Sequence, residues 1–75
     1  MFWIQETDLC WRIYRAPSDE CHDNPAGSVE FENDNQMWLG LDYTKPDGSK
    51  AGCAAFGPFL TADEAQEAVE KSLSS

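Results

Sequence analysis

Apolar and polar positions alternate in short runs along most of this chain, and the period changes near residue 60. Alternation with period two marks a half-buried strand, and recurrence every three to four residues marks a helix. Residues 2–6 read as a first strand and Glu6-Thr7-Asp8 as a turn. In residues 9–15, Leu9, Trp11 and Ile13 alternate with Cys10, Arg12 and Tyr14. Pro17, Pro25 and Gly27 punctuate residues 16–27, which read as a long loop of the kind that often carries function or mobility. Val29 and Phe31 then alternate with Glu30 and Glu32, and Asn33-Asp34-Asn35 supplies turn residues that tolerate positive φ. Residues 36–43 form the clearest strand, with Met37, Leu39, Leu41 and Tyr43 on one face and Trp38, Gly40 and Asp42 on the other. Lys45-Pro46-Asp47-Gly48 signals a turn, and a last strand follows near residues 50–57.

The final element is a helix. Thr61 is a natural N-cap, Glu64 completes a capping box, and Leu60 and Ala65 occupy the staple positions. Ala62, Ala65, Val69 and Leu73 form an apolar stripe at helical spacing. Asp63, Glu67 and Glu70 share another face, and Lys71 in the last turn suits the helix dipole. The order β-β-loop-β-β-β-α predicts an α+β fold. Its antiparallel sheet has about four to five strands, with one C-terminal helix packed on one face. Residues 1–75 make one domain. The parity predicts Leu9, Trp11, Ile13, Val29, Phe31, Met37, Leu39 and Leu41 under the helix. Arg12, Tyr14, Glu30, Glu32, Trp38 and Asp42 would then face outward.

Charge changes this picture most. Fourteen acidic residues face five basic ones, a net of −9 on 75 residues. Such a surplus repels nucleic acid and anionic membranes and attracts cationic surfaces. The same surplus would also serve as a solubility device. Four Phe, three Trp and two Tyr argue for a folded chain, because disordered acidic segments are poor in aromatics. The three cysteines, Cys10, Cys21 and Cys53, are an odd set, and the first residues lack the basic and apolar segments of a signal peptide. A reduced, cytoplasmic protein is expected, with a Cys10–Cys53 bridge as the alternative to free thiols.

Candidate chemistry is sparse. Cys21-His22-Asp23 lacks the spacing of a zinc site, and Cys21 with His22 lacks the third group that would orient a nucleophile–base pair. Glu30 and Glu32 share a face, but paired carboxylates work in a cleft that so short a chain hardly offers. No phosphate-binding, dinucleotide or calcium loop is present. Neither catalysis nor a cofactor or metal is expected.

Two acid-rich regions remain. One runs from Asp19 to Asp34 without Lys or Arg and includes Glu30, Glu32 and Asp34. The other is the helix, with Asp63, Glu64, Glu67 and Glu70. Four helical residues rise about 6 Å, so carboxylates at that spacing roughly imitate successive backbone phosphates. Trp38 and Tyr14, set among carboxylates on the outward sheet face, would supply apolar anchors; packing on each other or under the 16–27 loop would equally explain them. The candidate partner-binding residues are Glu30, Glu32, Asp34, Trp38, Asp42, Asp63, Glu64, Glu67 and Glu70.

In size, acidity, lack of catalytic motifs and sheet-plus-helix layout, the chain resembles the small acidic phage-encoded inhibitors of the DNA-mimic, anti-CRISPR type. The stretch from Gly57 to Ala65 is similar to a strand-to-helix ending found in many small phage and bacterial proteins. The likeness is one of class and transfers no individual residue. It implies a cytoplasmic protein that occupies the nucleic-acid-binding surface of a larger, basic protein or complex, with a type I CRISPR surveillance complex as its sharpest form. The excess of acids and the lack of a basic patch argue against direct contact with nucleic acid or membrane. The alternative is a small non-enzymatic adaptor using an exposed aromatic sheet face, and such a face would also suit a homodimer.

Overall fold

The computed structural model describes residues 1–46 and 52–74. Five strands, β1 (Phe2–Thr7), β2 (Cys10–Tyr14), β3 (Gly27–Glu32), β4 (Met37–Asp42) and β5 (Ala54–Phe59), lie in chain order in one antiparallel sheet. A short helix, α1 (Pro17–Cys21), sits inside the segment expected to be all loop, and α2 (Ala62–Leu73) ends the fold. The expected α+β architecture is therefore present. Part of the Lys45–Gly48 turn and the start of the last expected strand lie outside the described residues. Strand β5 ends two residues later than the sequence pattern suggests.

Helix α2 begins where its sequence says it should. Thr61 is extended, and its hydroxyl accepts the Glu64 N–H at 3.2 Å. The staple does not form, because Leu60 is 73% exposed. Ala65 and Val69 are fully buried on the helix stripe, and Leu73 packs against the same cluster. The helix lies across β3, β4 and β5.

The stripe is built from small residues, so the helix must come close to the sheet to bury anything. Gly40 makes this possible. A Cβ placed there would meet Val69 Cγ2 at 2.8 Å and the Ala65 carbonyl oxygen at 3.2 Å. Gly27, one strand away, would likewise run into Val69 and the Leu41 carbonyl. Two glycines thus form a notch that receives Val69. Rings surround the notch: Trp3, Trp11, Trp38, Phe56 and Phe59 pack against the buried cluster of Ile13, Ala26, Val29, Ala65 and Val69. Trp38 meets its cross-strand partner Phe31 edge to face, with centroids 5.4 Å apart. The register irregularity between Trp38 and Gly40 lets both Phe56 and Phe59 turn toward the helix.

This packing reverses the expected parity of β4. Residues paired across strands share a face, and the pairs Gly27–Asp42, Val29–Gly40 and Phe31–Trp38 put Trp38, Gly40 and Asp42 under the helix. Met37, Leu39 and Leu41 turn to the opposite face. The physical reason is distance: three large aliphatic side chains beneath α2 would hold its backbone away, whereas glycine admits it. Expectations for Trp11, Ile13, Val29 and Phe31 hold. Leu9 lies in the β1–β2 turn and is 45% exposed. Tyr14 is on the face away from α2 as expected, but it is buried, stacked on Phe2 with centroids 5.8 Å apart.

The notch predicts a specific coupling. Gly40→Ala should destabilise the fold by about 1–3 kcal/mol through overpacking, and Val69→Ala by about 2 kcal/mol through lost packing. The double variant should cost less than the sum, because removing Val69 Cγ2 makes room for the new methyl. Urea unfolding of the four proteins measures this.

Candidate partner-binding surface

The exposed side of α2 carries Asp63, Glu64, Glu67 and Glu70, with Lys71 beside them. These four carboxylates are not equivalent. Glu70 Oε1 accepts the Trp3 indole N–H at 2.7 Å and so ties α2 to the edge strand β1. Glu64 belongs to the N-cap, where its carboxylate meets the Thr61 hydroxyl at 3.4 Å. Asp63 and Glu67 make no such bond among the described residues and stand free on a helix fixed from below. A shallow cleft of about 250 Å³ runs beside the helix, between Phe59, Glu64, Glu67 and Lys71.

Glu30 and Glu32 lie on the other face of the sheet, with Asp34 exposed in the β3–β4 turn. The two acidic regions therefore sit on opposite sides of the molecule. Opposite Glu30 stands Leu39, and opposite Glu32 stands Met37. Among the described residues no element packs over this part of the face, since α1 contacts only β2 and α2 lies on the other side. Met37, Leu39 and Leu41 are the functional candidates that the alternation pattern missed. Gly40 was the available signal, because a glycine within a strand often marks a close backbone approach on its own face.

Two residues expected on the outward face lie on the helix side of the sheet instead. Trp38 is half-buried in the ring around the notch. Asp42 is completely buried. Its Oδ1 accepts the Thr44 N–H at 2.9 Å and the Thr44 hydroxyl at 2.6 Å, and its Oδ2 accepts the Ser72 hydroxyl. Lys45 Nζ stands 3.6 Å from the same carboxylate and donates to the Ser72 carbonyl in the last turn of α2. Burial by itself would push the Asp42 carboxyl up, but the bonds from Ser72 and Thr44, with the Lys45 charge, hold it below the usual aspartate value. Asp42 thus fastens the end of α2 to the sheet and is unavailable to a partner.

Several other polar groups bond to one another. Arg12 pairs with Asp23 at 3.2 Å and Glu6 at 4.0 Å. The Tyr14 hydroxyl donates to Glu6 at 3.4 Å, and those of Ser28 and Tyr43 bond at 2.8 Å. Among the described residues no disulfide joins Cys10, Cys21 or Cys53. Burial, then the Glu30 charge, pushes the Cys10 thiol up, which keeps it protonated and weakly nucleophilic. Cys21 and His22 are exposed at the end of α1. Among the described residues no group of three or more His, Cys, Asp and Glu side chains is placed to hold a metal ion, and no helix is long and apolar enough to cross a membrane. Comparison with protein-family models, curated proteins and solved structures finds no match to this chain.

The Asp42 cluster gives a pH dependence. Its charged form is favoured in the folded state. The stabilisation is therefore complete above the unfolded aspartate value of about 3.9 and is lost as pH falls through the lower folded value. Asp42→Asn should lower stability at neutral pH by about 1.5–3 kcal/mol. It should also lose less than the unaltered protein as pH drops from about 4 to about 2. Urea midpoints across that range measure both effects.

Proposed function

We propose that this protein is a non-enzymatic, acidic inhibitor that occupies the nucleic-acid-binding surface of a larger protein. The supporting observation is the set of uncompensated carboxylates on α2. Asp63 and Glu67 lie one turn apart, about 6 Å along the axis, on a helix held by its N-cap, by the glycine notch and by the Asp42 cluster. Among the described residues, ion pairs join cations only to Glu6, Asp23 and Asp42. The helix acids therefore keep their field. Repulsion among them disfavours the free protein and is relieved by a partner's Lys and Arg. A groove that binds phosphates presents those side chains at comparable spacing. The sharpest form of this reading is a phage-encoded protein acting in the host cytoplasm on a type I CRISPR surveillance complex.

A second reading, an adaptor unconnected with nucleic acid, draws on the bare face of β3 and β4. Its anchors would be the aliphatic Met37, Leu39 and Leu41, since Trp38 lies under α2.

The first reading is tested with purified surveillance complex and labelled target DNA. The protein should displace the DNA, and its affinity should fall at least tenfold between about 0.05 M and about 0.5 M salt. Asp63→Lys with Glu67→Lys should remove most of the binding and leave Tm within a few degrees, because neither side chain holds the fold. Binding that ignores salt, DNA and this double reversal would sink the reading. Glu70 is excluded from the pair, because reversing it also breaks the bond to Trp3.

A further inference from the structure

Strands β3, β4 and β5 are covered by α2 on one side; on the other, Tyr43 reaches over the buried Ser28 at the Leu41 end, and no described helix or strand covers the rest. The bare side is ordered in two parallel rows. Met37, Leu39 and Leu41 run along β4, all half-buried. Glu30 and Glu32 run beside them along β3, in register with Leu39 and Met37. Ala55 borders the row on β5, opposite Leu41. Residues two apart on a strand are separated by about 6.8 Å. Residues four apart on a helix are separated by about 6 Å. Three strands are about 10 Å wide, which is the diameter of one helix.

We infer that this face is a docking surface for a basic amphipathic helix of a partner protein. The helix would lay its apolar stripe on Met37, Leu39 and Leu41 and direct Lys or Arg on one flank to Glu30 and Glu32. The inference deepens the adaptor reading of this face; with the inhibitor reading it shares only the cationic character of the partner, on the opposite side of the molecule. Charge selects the occupant. Glu30 and Glu32 have no cationic partner among the described residues. Arg12, the cation on this face, stands on β2 opposite Ser28 and is already paired with Glu6 and Asp23. A second copy would bring another net charge of −9 and another pair of glutamates against the first. An anionic membrane would meet the same repulsion. A helix also fits the architecture, because the same three strands already carry α2 in this manner on the other side.

The test uses the full chain, isotope-labelled, and a synthetic helical peptide of about 18 residues, about 27 Å long. Leucines recur on one stripe of the peptide, and arginines line one flank. Amide shifts should concentrate at Glu30, Glu32, Met37, Leu39 and Leu41. Leu39→Glu should weaken binding at least tenfold, and Glu30→Lys with Glu32→Lys should do the same. A control peptide of identical composition with scattered leucines should bind at least tenfold more weakly. Equal binding of the control overturns the inference, since charge alone would then suffice. So does an absence of binding. Shifts confined to Asp63, Glu64 and Glu67 also overturn it, while leaving the proposed function standing. Sedimentation supplies the last outcome: a dimer dissolved by Leu39→Glu would mean that a second copy covers the face. The shift map needs no variant, so the result does not depend on Leu39→Glu folding.

Discussion

The close approach of Val69 and the Ala65 backbone to Gly40 governs the rest of this structure. A helix whose stripe is alanine and valine buries little unless its axis comes near the sheet, and only a strand position without a Cβ lets it do so. Once that contact forms, the pleat dictates the direction of every other β4 side chain. Trp38 and Asp42 must follow Gly40 inward, and Met37, Leu39 and Leu41 must go outward. The helix side is then filled by rings large enough to close the margins of a shallow notch. One contact thereby decides which residues make the core and which a partner can touch.

Asp42 shows how that choice is made tolerable. Its parity brings a carboxylate into the interior, where it would be costly alone. Thr44, Ser72 and Lys45 converge on it. In the same arrangement Lys45 donates to a carbonyl at the end of α2. The helix is consequently restrained at both ends and in the middle, with Trp3 reaching its side through Glu70. Restraint matters for the outward carboxylates, because a rigid array loses little freedom when it meets a rigid partner.

Much of the fold was legible because its signals are local. The five strands, their antiparallel order and the N-cap of α2 at Thr61 follow from period, turn residues and capping chemistry. The sidedness of β4 was not, because both of its parities offer apolar residues and alternation alone cannot rank them. The deciding quantity was the size of the helix stripe, a relation between residues some thirty positions apart. The same tertiary contact removed Trp38 and Asp42 from the candidate surface. Glu30, Glu32, Asp34, Asp63, Glu64 and Glu67 remained at or near it, since charged side chains without buried partners have nowhere else to go. The register of β5 was missed because Phe56 and Phe59 share a face only through the irregularity opposite Trp38 and Gly40.

The bond between Trp3 and Glu70 joins positions 67 apart in the chain, and the Asp42 cluster likewise waits for Ser72. Neither can form until α2 exists. Until then the notch at Gly27 and Gly40 is open and the rings around it face water. Such half-built sheets adhere to one another. A net charge of −9 on every copy opposes such adhesion by mutual repulsion.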